Sequence, residues 1–177
     1  EVTSGHIIIT NLDPITEKLV AKLNRRNFQY VLVVDELQRA AELYDAGYKV
    51  VVGEPDDPAT YHRLRIEDAA LVVATSDDLI NTSVAFTVRE ITRKVPIVTS
   101  ADQENSLDIL QFTGNIHVFQ FAKMLGRGLG DRTLGLGRPV NIVSSFDRLH
   151  IAEISGVQTS FVGKSLADIG MRGKTGV

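Results

Sequence analysis

The chain has 177 residues, 44% of them hydrophobic and 23% charged, with a formal net charge of -3 and a pI near 5.8. That length makes one full domain and part of another at the usual ~100–200 residues per domain, and the mildly acidic balance supplies no field that would attract nucleic acid or an anionic membrane. Cysteine is absent, which excludes a disulfide framework, a thiolate nucleophile and a cysteine zinc site, while no apolar run nears the ~18–20 residues of a membrane span and no signal-peptide core opens the chain, so a soluble segment is expected.

Short apolar runs alternate with helix-length periodic segments, the pattern of βαβ units. The run His6-Ile7-Ile8-Ile9 predicts a strand over Ile7–Thr10, and Asp13-Pro14 predicts a helix start, with the helix over Pro14–Asn24 and Leu19 and Leu23 on its apolar face. Further strands are expected at Tyr30–Val34, Lys49–Val52, Leu71–Ala74, Pro96–Val98 and Ile116–Phe119. Helices are expected at Glu36–Tyr44, Pro58–Leu64, Leu79–Ile91 and Asn105–Phe112, the fourth of the five burying Val84, Val88 and Ile91. Strands that are continuously apolar and rich in valine and isoleucine need cover on both faces. The fold class is therefore α/β: a doubly wound, parallel, six-stranded Rossmann-like sheet spanning residues 6–120.

After Phe119 the pattern changes. Phe121-Ala122-Lys123-Met124-Leu125 runs into glycines at 126, 128, 130, 135 and 137, read as a crossover helix and glycine-rich hinge over 121–138. These glycines lack the Lys-Ser/Thr ending of a phosphate loop, and no strand feeds them. New strand-like runs begin at Asn141 and at Leu149–Ile154, followed by Phe161 to Leu166. They are read as the beginning of a small α+β C-terminal lobe over 139–177, cut off before its core closes.

The turn after the first strand reads Asn11-Leu12-Asp13-Pro14-Ile15-Thr16. Strand, tight turn and helix at this spacing ordinarily carry G-x-G-x-x-G, because the backbone must turn sharply and admit a pyrophosphate to a helix N-terminus. All three glycines are missing here. Asp13 before Pro14 forms an N-cap, which puts a carboxylate where a pyrophosphate would lie. Two like charges ~4 Å apart repel by ~1 kcal/mol in water and ~4 kcal/mol at a protein surface, whereas a helix N-terminus returns only ~0.3–1 kcal/mol. A dinucleotide in the usual pose should bind weakly.

The other strand ends are acidic as well: Asp35 and Glu36, then Glu54, Asp56 and Asp57, then Asp77 and Asp78, then Asp102 and Glu104. Each serves either as a cap or turn former or as a ligand group. Asp35 lies 19 residues after Thr16, near the ~20-residue offset at which a carboxylate accepts from a ribose hydroxyl, so a ribose role stands beside a plain cap. A hard divalent cation, which takes oxygen ligands, would have to be assembled from separate loops, with Asp13, Asp35, Asp77 and Asp102 as its candidate ligands.

Together these stretches resemble an RCK domain, the regulator-of-K+-conductance module of prokaryotic potassium channels and of Trk/Ktr transporter subunits. His6-Ile-Ile-Ile is similar to its opening strand, Val33-Val34-Asp35 to its second strand with the ribose acid, and Gly53-Glu54-Pro55-Asp56-Asp57-Pro58 to its G-D-x-x-D-P turn. Thr75-Ser76-Asp77-Asp78-Leu79-Ile80-Asn81 is similar to its T-x-D-D-x-x-N helix start, and Asn141 to Val177 to the start of its C-terminal lobe.

The resemblance implies a sensor on the cytoplasmic face of a membrane, gating potassium conduction. It implies pairing into a homodimer through the helix from Phe121 to about Leu134, assembly into a ring, octameric in this family, and a pore domain or a transporter as membrane partner. Phe119, Phe121, Met124 and Leu125 then face either a partner subunit or the chain's own core. The ligand site it implies has Asn11, Asp13 and Thr16 in the glycine positions and Asp35, Glu36, Gly53 and Thr75 on the adenosine side. NAD or ADP/ATP is the expected ligand, weakened by the lost glycines and by Ser100, where many members place an arginine; family members with a similar loss answer to calcium (Ca2+) instead. The rival readings are a ligand-free dimerisation module and a small NAD-dependent oxidoreductase. The second lacks a Tyr-x-x-x-Lys pair, and His6, His62, His117 and His150 are scattered without spaced acids.

Overall fold

A computed structural model describes residues 4–133, 140–146, 149–154, 162–165 and 168. The chain divides into two compact units, Glu1–Lys123 and Met124–Val177. In the first, six strands form one all-parallel sheet: β1 (Ile7–Ile9), β2 (Tyr30–Val34), β3 (Val50–Val52), β4 (Leu71–Ala74), β5 (Ile97–Ser100) and β6 (Ile116–Phe119). Their order across the sheet is β3-β2-β1-β4-β5-β6. The helices between them are α1 (Pro14–Arg25), α2 (Leu37–Asp45), α3 (Pro58–Arg63), α4 (Asp78–Ile91) and α5 (Glu104–Phe112), and α6 (Phe121–Thr133) follows the last strand. The expected α/β doubly wound sheet is what the chain forms.

Local chemistry sets the helix starts. Asp13, Asp57 and Asp77 have extended backbone and accept from the amides of the first turns of α1, α3 and α4, with proline opening α1 and α3. Alternation along the strands then divides the core in two. Ile8, Val33, Val72 and Ile97 pack with Tyr61, Leu64, Val84, Val88 and Leu110 on one face. Ile7, Ile9, Leu32 and Val73 pack with Val20, Leu23 and Leu43 on the other. Each fully buried aliphatic side chain contributes roughly 1.5–3 kcal/mol. Leu19 and Ile91, expected in the core, are half-buried against these clusters.

Arg89 closes the sheet edge away from the cleft. Its guanidinium donates to the carbonyls of Asn115 (2.7 Å), Gly114 (2.9 Å), Val95 (2.9 Å) and Thr92 (3.2 Å), tying the end of α4 to the entries of β5 and β6. A 3-10 turn at Ile66–Asp68, entered by Arg65 in a left-handed conformation (φ 52°), has no counterpart in the expected elements. Three residues carry too little periodicity to announce it.

The second unit contains an antiparallel hairpin, β7 (Val140–Phe146) with β8 (Leu149–Ile154), as the strand-like runs predict. Of the crossover helix and hinge expected over 121–138, the glycines at 126, 128 and 130 lie within α6, and residues 134–138, like most of the lobe beyond 154, lie outside the described residues. The division between the two units falls inside α6, after Lys123, whose Nζ donates to Glu104 Oε1 at 2.7 Å. Met124, Leu125 and Leu129 are 56%, 68% and 67% exposed, so the core alternative fails for Met124 and Leu125. Phe119 and Phe121 are half-buried and stack on each other at 5.6 Å. Among the described residues no helix is long and apolar enough to cross a membrane.

Candidate functional site

Because β1 lies between β2 and β4, the chain winds outward in one direction through β3 and then returns to wind in the other. Ligands in such sheets bind beyond the carboxyl ends of the strands where the direction reverses. A cleft of about 230 Å³ opens at that point, walled by Leu12, Val34, Pro55 and Ile80 with Asp35 and Arg39 at its polar side.

Asp13 sits beside it as the hub of a hydrogen-bond network. Its Oδ1 accepts from the Ile15 amide (2.8 Å), the Thr16 amide (2.7 Å) and the Thr16 hydroxyl (3.0 Å). Its Oδ2 accepts from the Thr75 hydroxyl (2.8 Å) and from Asn11 Nδ2 (3.2 Å). Asn11 Oδ1 in turn accepts from the Thr75 amide at 3.2 Å. The β1–α1 turn is thereby tied to the turn after β4, across 62 to 64 residues of sequence. Burial acts to raise the Asp13 pKa, but the bonds from the Thr16 amide, the Thr75 and Thr16 hydroxyls and Asn11 outweigh it and hold the carboxyl below the usual range. Asp13 is ionised at neutral pH.

The first-turn amides that would receive a pyrophosphate thus already hold an anion. A diphosphate does not fit against α1. The cleft lining joins apolar side chains to the Asp35 carboxylate. Asp35 is exposed, and the N-cap of α2 is Glu36, so the plain-cap alternative for Asp35 fails.

The remaining expected site residues divide by position. Asn11 and Asp35 line the cleft, while Thr75 reaches it only through its bonds to Asn11 and Asp13. Thr16 is fully buried, and its hydroxyl is engaged with Asp13. Glu36 is exposed outside the cleft lining and makes no capping bond. Gly53 is explained by α3: a Cβ there would stand 2.6 Å from Thr60 Oγ1 and 2.9 Å from Thr60 Cγ2.

The cation site expected from Asp13, Asp35, Asp77 and Asp102 does not form. Among the described residues no three His, Cys, Asp or Glu side chains come together to hold a metal. Asp13 and Asp77 turn their carboxylates onto helix amides, at Thr16 and Ile80 respectively, and separate loops keep the others apart.

Two residues of the T-x-D-D-x-x-N stretch do more than its sequence announces. The Asp78 carboxylate accepts from the Asp102 amide (2.9 Å) and the Gln103 amide (3.0 Å), pinning the β5–α5 loop. Burial works to raise its pKa, and these two amides with Ser106 overcome that and lower it. Asn81 is fully buried. Its Oδ1 accepts from the Ser76 amide (2.9 Å), and its Nδ2 donates to the Ser76 carbonyl (2.8 Å), the Ser100 carbonyl (3.0 Å) and the Ser100 hydroxyl (3.2 Å). Ser100 therefore faces Asn81 inside the fold.

The TrkA-N domain model matches residues 7–120. The chain belongs to the TrkA-N domain family. This TrkA-N chain is similar to the crystal structure of the GsuK RCK domain, with 33% identity and a TM-score of 0.71 over 98% of this chain and 38% of that one. It is also similar to the GsuK channel bound to NAD, with 33% identity and a TM-score of 0.74 over 98% of this chain and 32% of that one. A third similar structure is GsuK bound to ADP, with 35% identity and a TM-score of 0.69 over 73% of this chain and 35% of that one. The chain spans about a third of the length of these relatives. No curated protein matches it. With the family match and these likenesses, the TrkA-N unit is an RCK domain, as the order of its motifs implies.

Proposed function

We propose that this chain is the regulatory RCK module of a potassium channel, that it is not an enzyme, and that its cleft senses an adenosine-containing ligand whose occupancy is passed to a pore. One observation carries the reading: an exposed carboxylate, Asp35, stands in a cleft at the switch point of the sheet. The 33–35% identity to GsuK structures, two of them with NAD or ADP, supports the same class of ligand. Pairing through the apolar residues of α6, assembly into a ring and a place on the cytoplasmic face of the membrane belong to this reading, with a Trk/Ktr-type transporter as the other partner for the module. A ligand-free dimerisation module is the second reading, favoured by the anion already seated on α1.

The test is a thermal-shift and calorimetric panel of adenosine, NAD, NADH, ADP, ATP, Ca2+ and Mg2+. A ligand at 100 times its Kd adds ~2.7 kcal/mol of stability, and Asp35→Ala should abolish the shift without unfolding the chain. No response to any member would leave the dimerisation module, and turnover of NADH would restore the oxidoreductase.

A further inference from the structure

We infer that this cleft selects a nucleoside over its di- and triphosphates and over NAD, with the Asp13 carboxylate occupying the place of the ligand's phosphate. The inference rests on the proposal that the cleft is the ligand site, and it names which adenosine-containing class enters.

Three observations carry it. Four donors at the β1–α1 and β4–α4 turns, the Ile15 and Thr16 amides, the Thr75 hydroxyl and Asn11 Nδ2, all point at Asp13. An incoming phosphate meets a like charge and no vacant donor among them. Swinging Asp13 aside would break the cap of α1 and the link to Thr75 together. Among the described residues Arg39 is the one basic residue lining the cleft, and its guanidinium is paired with Glu42 at 3.2 Å rather than with Asp13. The cleft volume of about 230 Å³ also falls below the ~300–1,000 Å³ of typical small-molecule sites. Its lining offers a base the apolar side chains of Leu12, Val34 and Ile80 and offers ribose hydroxyls the Asp35 carboxylate.

The ionised Asp13 acts here as a resident phosphate mimic. It joins the β1–α1 turn to the β4–α4 turn, as a bridging phosphate would, without any ligand present. The ligand then adds contacts only on the Asp35 side.

Isothermal calorimetry on the 177-residue chain with adenosine, AMP, ADP and NAD, at low and high salt, tests this. Adenosine should bind about tenfold or more tightly than ADP or NAD at low salt, and the gap should narrow at high salt because the opposing term is charge repulsion. Asp13→Asn keeps an acceptor at the N-cap and should shift the ADP-to-adenosine affinity ratio about tenfold toward ADP. The salt series requires no variant, so an unstable Asp13→Asn chain would not remove the test. ADP or NAD binding as tightly as adenosine, and lost in Asp35→Ala, would overturn this inference while leaving the proposed site standing. No binding by any of the four would overturn both.

Discussion

Asn81→Ala removes the most heavily used buried polar side chain that supports the cleft. Four hydrogen bonds of 2.8 to 3.2 Å disappear, and with them the side-chain link from Ser76 in the β4–α4 turn to Ser100 at the end of β5. At roughly 0.5–1.5 kcal/mol each, the four come to roughly 2–6 kcal/mol. Ser76 is half-buried and recovers part of this from water, whereas Ser100 is only 8% exposed and does not. The expected loss is therefore about 3 kcal/mol, a large share of the ~5–15 kcal/mol that holds a domain together. Urea unfolding should show a lower midpoint with an unchanged m-value. Asn81→Asp is the control. It retains the acceptor for the Ser76 amide but sets a negative charge against the Ser100 carbonyl, so it should be at least as damaging at neutral pH and partly recover in acid. A loss below ~1 kcal/mol for Asn81→Ala at constant m would refute the view that this amide organises the turn.

Two further outcomes follow from the same geometry. Gly53→Ala should destabilise by ~1–3 kcal/mol through overpacking, because the new Cβ meets Thr60 Oγ1 at 2.6 Å, Arg63 Nη2 at 2.8 Å and Thr60 Cγ2 at 2.9 Å; the Thr60→Ala background should relieve the part due to Thr60, read by urea midpoints in a double-mutant cycle. Acid titration of stability should show an Asp13 component of definite sign. The folded pKa is depressed, so the contribution is fully present above the unfolded value of ~3.9 and is lost as pH falls from there through the lower folded value. Asp13→Asn should flatten the stability profile in that acid window, and an unaltered profile would show that the network does not stabilise the ionised form.

Much of the fold is legible in the chain. The valine- and isoleucine-rich runs of β2, β3 and β4 require cover on both faces, and Asp-Pro pairs at 13–14 and 57–58 start α1 and α3 as expected. The candidate site is legible only in part. Asp13 as a cap and Asp35 as the cleft acid follow from local spacing. The side-chain partners of Thr75, Asp78 and Asn81 do not. Asp77 and Asp78 are identical neighbours in sequence, yet one caps its own helix and the other holds a loop 24 residues away. The four-acid cation site fails for the same reason, since acidity at successive strand ends says nothing about which carboxylates face one another.

Hydrophobic period and turn chemistry are properties of a few adjacent residues, so the sequence by itself determined the succession of strands and helices, their parallel arrangement and the anion at the start of α1. The order β3-β2-β1-β4-β5-β6 is a property of the whole packed chain. Only that order places β4 against β1 and so lets Thr75 reach Asn11 and Asp13. Long-range hydrogen bonds form wherever packing brings donors and acceptors together, and packing is decided by the burial of both sheet faces at once rather than by any local stretch of residues.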